Sequence, residues 1–191
     1  DARALFDSLY KRAEAGELVL PGDPPQTVTP EDLQSLVFGN MYSPNDTWFE
    51  FAQALADLDA TGPAAARSLD GRGEPTAFPY LPVMCQDYDF GVRSYATLAR
   101  FERKLARLAP VTRLNPLAWT DLTGCQDWPS EVSNPQRRLR VDGTPPVLVT
   151  NSRYDVATPH SWGSNAARQI GREAVFLTYD GVGHGDYWLS P

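Results

Sequence analysis

Two polar clusters follow β-rich runs in the last third of the chain. Ser152-Arg153-Tyr154-Asp155 comes after the run that starts at Val147, and Asp180-Gly181-Val182-Gly183-His184-Gly185 comes after Ala174 to Tyr179. A carboxylate on one strand-end loop and an imidazole on the next, 29 residues on, can pair so that the carboxylate accepts the Nδ1 proton and Nε2 is left as a general base. The glycines flanking His184 let its loop turn tightly and bring the ring forward. Alone, Asp155 would read as a turn or helix-capping acid ahead of Thr158-Pro159, whereas for His184 the flanking glycines and the place after a buried strand already weigh against an ordinary loop histidine. Their places beyond successive buried strands favour a base and its carboxylate partner instead.

The other reactive residues are few. His160 falls in the first helical turn after Pro159, where a protonated ring would meet the positive helix end, so it reads as a surface or packing residue. Cys85 ends an apolar run from Leu81, and Cys125 sits in the turn-rich stretch Thr123-Gly124-Cys125-Gln126-Asp127-Trp128-Pro129. Two cysteines alone leave open a bridge, two buried thiols or half of a metal site; one histidine in a helix turn is poor support for zinc, and a bridge is favoured. No metal and no cofactor is expected. No serine stands in Gly-x-Ser-x-Gly, the strand-turn-helix elbow that exposes a nucleophile at the end of a parallel sheet, and the nearest miss, around Ser161, lies in a helix. An acid and a base without a nucleophile perform no acyl transfer. Where the chain order is nucleophile, acid, histidine, the missing part is expected N-terminal to Asp1, so the sequence reads as a fragment.

The elements that must position this chemistry are legible from periodicity. Ala2, Leu5, Phe6, Leu9 and Ala13 recur at helical spacing and stop at Gly16. Thr29-Pro30-Glu31-Asp32 places a capping hydroxyl before a proline and two acids, starting a helix through about Met41, and Ser43-Pro44 repeats the device for a third helix bearing Trp48, Phe51, Ala52, Leu55 and Leu58. Leu81-Pro82-Val83-Met84-Cys85 is expected to be a short buried strand, and Leu98 to Leu108 a long helix ending before Pro110. Pro145 to Asn151 and Ala174 to Tyr179 are continuous β-rich runs, as expected of parallel strands covered on both faces, with a helix from Pro159 to Ile170 between them. Strand, helix, strand makes a βαβ crossover, and ligand chemistry in such sheets lies beyond the carboxyl ends of the strands, where Asp155 and His184 fall.

Composition bounds the partners. With 191 residues, 42% of them hydrophobic, the chain has room for a packed core and too much apolar content for disorder, and it has no apolar run long enough to span a bilayer. A formal charge of −7 leaves no footprint for nucleic acid or for an anionic membrane surface.

At these residues the sequence resembles the C-terminal half of the tripeptidyl aminopeptidase-like secreted serine hydrolases, α/β-hydrolases related to proline iminopeptidases. Tyr42-Ser43-Pro44 with Trp48 resembles that family's cap helix motif, Val83 to Asp87 the strand re-entering the core after the cap, and Cys125-Gln126-Asp127-Trp128-Pro129 its Cys-x-x-Trp-Pro turn. Val147 to Pro159 resembles the strand ending in the triad acid, and Gly181 to Gly185 the loop of the triad histidine. The resemblance implies an α/β fold, with residues 1–78 as a helical cap and 79–191 as the C-terminal part of the α/β-hydrolase core. It implies Asp155 and His184 as triad acid and base, a Cys85–Cys125 disulfide, and secretion. It also implies a partner, an N-terminal hydrolase fragment carrying the nucleophile and the oxyanion hole. The activity implied is an exopeptidase releasing short peptides from free N-termini; an esterase or lipase of the same fold, or a non-catalytic binding fragment, are the alternatives. A peptidase of this kind needs a cap acid for the substrate amine, and Glu50 is the candidate, with Asp46, Asp57 and Glu31 as others; each would otherwise be a solvated helix acid.

Overall fold

The computed structural model describes residues 1–20, 24–61 and 80–189. Two compact units form, one from Asp1–Gly39 with Phe49–Gln136 and the other from Asn40–Trp48 with Arg137–Pro191. The mixed architecture of helices and a parallel sheet is that expected of the C-terminal part of an α/β-hydrolase with helical elements.

In the first unit, helix α1 (Ala2–Glu14) buries Phe6, Leu9 and Ala13, the stripe its spacing predicts. A two-residue antiparallel pair, β1 (Val19–Leu20) and β2 (Gln26–Thr27), leads to α2 (Pro30–Asn40). The start of α2 is a reciprocal cap: the Thr29 hydroxyl accepts from the Asp32 N–H at 3.1 Å, and the Asp32 carboxylate accepts from the Thr29 N–H at 2.9 Å. Helix α3 (Pro44–Thr61) contributes Leu58 to a core with Phe6, Leu9, Ala13, Leu18, Val28 and Leu33. Helices α4 (Tyr80–Asp87), α5 (Tyr95–Leu108) and α6 (Pro116–Gly124) complete the unit.

Residues 81–85 form a helix, where the apolar run predicts a strand and the family resemblance a core strand. Five apolar residues carry no period that separates the two states. Pro82 lies in the first turn of α4, where its missing N–H is no loss, and it could not have donated to a sheet. Packing settles the outcome, since α4 lies against α6, the Tyr80 hydroxyl donates to Asp121 Oδ2 at 3.1 Å, and Cys85 is buried.

The second unit is built on a parallel pair, β3 (Val147–Tyr154) and β4 (Ala174–Val182), joined by α7 (His160–Ile170) and a 3₁₀ turn. The register runs from Val147 opposite Ala174 to Ser152 opposite Tyr179, then shifts so that Tyr154 lies opposite Val182. Helix α7 packs on the sheet. The sheet is covered less fully than its continuous apolar runs predict, because Leu148, Val175 and Leu177 are each more than half exposed. A short helix, α8 (Asp186–Leu189), follows β4 and contacts β3.

Candidate active site

Asp155 is the first residue after β3, and its carboxylate organises the turn that follows. Oδ1 accepts from the N–H groups of Ala157 and Thr158, both at 2.8 Å, and Oδ2 from the Thr158 hydroxyl at 2.8 Å. His184, two residues beyond β4, turns Nδ1 toward the same carboxylate, 3.1 Å from Oδ1 and 3.0 Å from Oδ2. One carboxylate thus both organises the turn after β3 and lies within hydrogen-bond distance of the His184 ring.

Electrostatics and exposure differ across the pair. The Asp155 side chain is 3% exposed and that of His184 is 40% exposed. Burial by itself raises the Asp155 pKa, but the hydrogen bonds from the Thr158 N–H, His184, the Ala157 N–H and the Thr158 hydroxyl together outweigh it and hold the carboxyl below its usual range. A carboxylate can only accept, so the proton between it and the imidazole belongs to Nδ1, and in the neutral ring Nε2 carries the lone pair.

The histidine loop is tied at three points. The His184 N–H donates to the Tyr42 carbonyl at 2.9 Å, the Gly183 N–H to the Tyr154 carbonyl at 3.4 Å, and the Thr150 hydroxyl to Asp186 Oδ1 at 3.0 Å. Gly183 and Gly185 take φ values of 112° and 86°, which side-chain-bearing residues rarely adopt, so the predicted need for glycine on both sides of the ring is met in the backbone. The Tyr42 ring stands edge-on to the imidazole, centroids 5.3 Å apart. The Tyr42 hydroxyl pKa is raised, first by burial and then by the nearby Asp155 charge.

His160 is a packing residue, as its place in the helix suggests: Nε2 lies 2.9 Å from the Thr178 hydroxyl and the ring rests against Phe176 at 5.3 Å. Cys85 and Cys125 form a disulfide joining α4 to the residue that caps α6, with an S–S distance of 2.03 Å. Among the other candidates, Glu50 is an exposed residue of α3, Glu31 lies exposed in the first turn of α2, and Asp57 accepts from Gln53 at 2.8 Å. The side chain of Asp46 lies outside the described residues. Among the described residues no group of three or more His, Cys, Asp or Glu could hold a metal ion, and no helix is long and apolar enough to cross a membrane.

Thr158, Tyr42 and Asn151 join the site without being singled out as functional by residue type or spacing. Thr158 was legible only as a helix-start signal, and Tyr42 only as part of a cap-helix motif. Asn151 lies inside a β-rich run, where its position gives no sign of chemistry.

Residues 110–190 match the family model described as TAP-like protein. The matched segment is thus similar to a family of α/β-hydrolases, and it contains β3, α7 and β4 with both Asp155 and His184. The match supports a hydrolase of the α/β type. No curated protein matches the chain.

Proposed function

We propose that this chain supplies the acid and base of a serine hydrolase triad. The observation that carries the reading is the hydrogen bond from His184 Nδ1 to the buried Asp155 carboxylate, with the imidazole itself accessible. Held in this tautomer, Nε2 takes the proton of a serine hydroxyl as its oxygen bonds to the substrate carbonyl carbon. The proton then passes to the leaving amine or alkoxide as the acyl bond breaks. Asp155 keeps its negative charge throughout and stabilises the imidazolium that forms between those steps.

The nucleophile is assigned to an N-terminal segment or separate polypeptide carrying Gly-x-Ser-x-Gly and the oxyanion hole, since none of the chain's own serines stands in that motif. In this reading residues 1–78 act as a cap and residues 79–191 as the C-terminal part of the hydrolase core. The substrates are peptides with free N-termini, from which short peptides are released, and Glu50 is assigned as counter-charge to the substrate amine. Family resemblance supports this specificity. The disulfide is compatible with secretion, the compartment proposed.

The test mixes this chain with a polypeptide carrying the nucleophile elbow and measures serine labelling by a fluorophosphonate probe. Labelling of the elbow serine should require the chain and be lost with His184→Ala. Labelling of one of this chain's own serines would overturn the assignment.

A further inference from the structure

Asn151 is 5% exposed in β3, four residues before Asp155. Its Nδ2 donates to Asp155 Oδ2 at 3.3 Å and to the Thr158 carbonyl at 3.1 Å. Both partners are acceptors, which fixes the orientation of the amide and leaves Oδ1 pointing the other way. That Oδ1 is buried with no hydrogen-bond partner. A buried carbonyl left unpaired is unfavourable, and an apolar side chain would fill the same place without that cost. What an apolar residue could not supply is the pair of N–H donors.

Those donors close a clamp. The turn after Asp155 already holds Oδ1 through two backbone N–H groups, and the Asn151 amide spans Oδ2 and a carbonyl of that same turn. Three donors then surround Oδ2: the Thr158 hydroxyl, the Asn151 amide and His184 Nδ1. The amide can reach them only because α7 carries Gly163 over it. A Cβ at residue 163 would lie 2.5 Å from Asn151 Oδ1 and 3.1 Å from its Cβ. We infer that Asn151 is a positioning residue for Asp155 and hence for the His184 proton, with Gly163 as the gap that seats its amide. This rests on the acid–base reading given above.

The proton itself is a readout that does not depend on a nucleophile. The chain has two histidines, so ¹⁵N-histidine labelling gives two imidazole signals, assigned by His160→Asn. The parent should show a downfield, slowly exchanging Nδ1–H from His184, lost in Asp155→Asn. Asn151→Ala should move that resonance and speed its exchange at least tenfold. Gly163→Ala, which alters neither Asp155 nor His184, should do the same and carries the test if Asn151→Ala does not fold. Backbone amide shifts of β4 report folding in each case. Combined with Asn151→Ala, Gly163→Ala should lose most of its effect on exchange, because the Oδ1 at 2.5 Å is gone and only the 3.1 Å approach to the Cβ of residue 151 remains. Exchange within twofold of the parent in a folded Asn151→Ala or Gly163→Ala would refute the positioning role. Absence of the downfield proton from the parent chain would instead refute the Asp155–His184 pairing, and the positioning role with it.

Discussion

The bridge between Cys85 and Cys125 should be the largest single covalent contribution to the stability of the first unit. Its half-cystines are separated by 40 residues in sequence. By the chain-entropy relation, closing a loop of that length removes about 13 cal/mol/K from the unfolded ensemble, or about 4 kcal/mol at 25 °C. Net stabilities of domains are roughly 5 to 15 kcal/mol, so the unit would keep only a minority of its margin in the worst case. The perturbation is Cys85→Ala with Cys125→Ala, which removes the cross-link without leaving a buried unpaired thiol. Urea unfolding followed by tryptophan fluorescence is a suitable assay, because Trp119 and Trp128 flank Cys125 in sequence. With a urea dependence of about 2 kcal/mol/M, the midpoint should fall by roughly 2 M. A midpoint shift under about 0.5 M, roughly 1 kcal/mol, would refute the reasoning, as would two titratable thiols in the unreduced, denatured chain.

Three further outcomes are expected. On the proposed triad, Asp155→Asn presents an amide N–H to the imidazole and favours the wrong tautomer, so kcat of the chain combined with the proposed nucleophile-bearing polypeptide should fall on the order of 10⁴-fold, measured under saturating substrate. The Asp155 pKa is lowered in the folded chain, so the stability it contributes is complete above the ordinary carboxyl value of about 4 and is lost as pH falls through the lower folded value. The difference in urea midpoint between parent and Asp155→Asn should accordingly shrink below about pH 4, and a difference that grew on acidification would contradict the sign. Thr29→Ala removes the hydroxyl that caps α2 and should cost about 1 kcal/mol by the same unfolding assay.

What the sequence reveals of this molecule follows how local each cause is. Helix α1 is set by its own apolar spacing, and α2 by a threonine three residues from the aspartate that completes its cap, so both are readable directly. Strands β3 and β4 are readable because continuous β-rich runs are bounded by prolines, glycines and a helix start. Residues 81–85 are not readable, because their helix is selected by packing against α6 and by a disulfide partner far along the chain. At the site, Asp155 and His184 stand out by residue type and loop position. The clamp around them does not, since Asn151 matters only once α7 has brought Gly163 over it, and Tyr42 meets His184 only through folding of a distant segment.

The spacing of Asp155 and His184 is itself a product of the sheet. From Ser152 to Tyr154 β3 advances two residues, while from Tyr179 to Val182 β4 advances three, so β4 carries one extra residue at the register shift. Past that point Asp155 lies one residue beyond Tyr154 and His184 two beyond Val182. Regular pairing would set Tyr154 opposite Gly181 and leave His184 three residues beyond the pair. The extra residue thus draws the histidine back toward the end of the strand that carries the acid. The loop is then fastened to β3 itself, through the Tyr154 carbonyl and the Thr150 hydroxyl. Asp155 and His184 are consequently referenced to one strand by an irregular step in register and two hydrogen bonds, with the Tyr42 carbonyl as a third tie, and their contact is 3.0 Å.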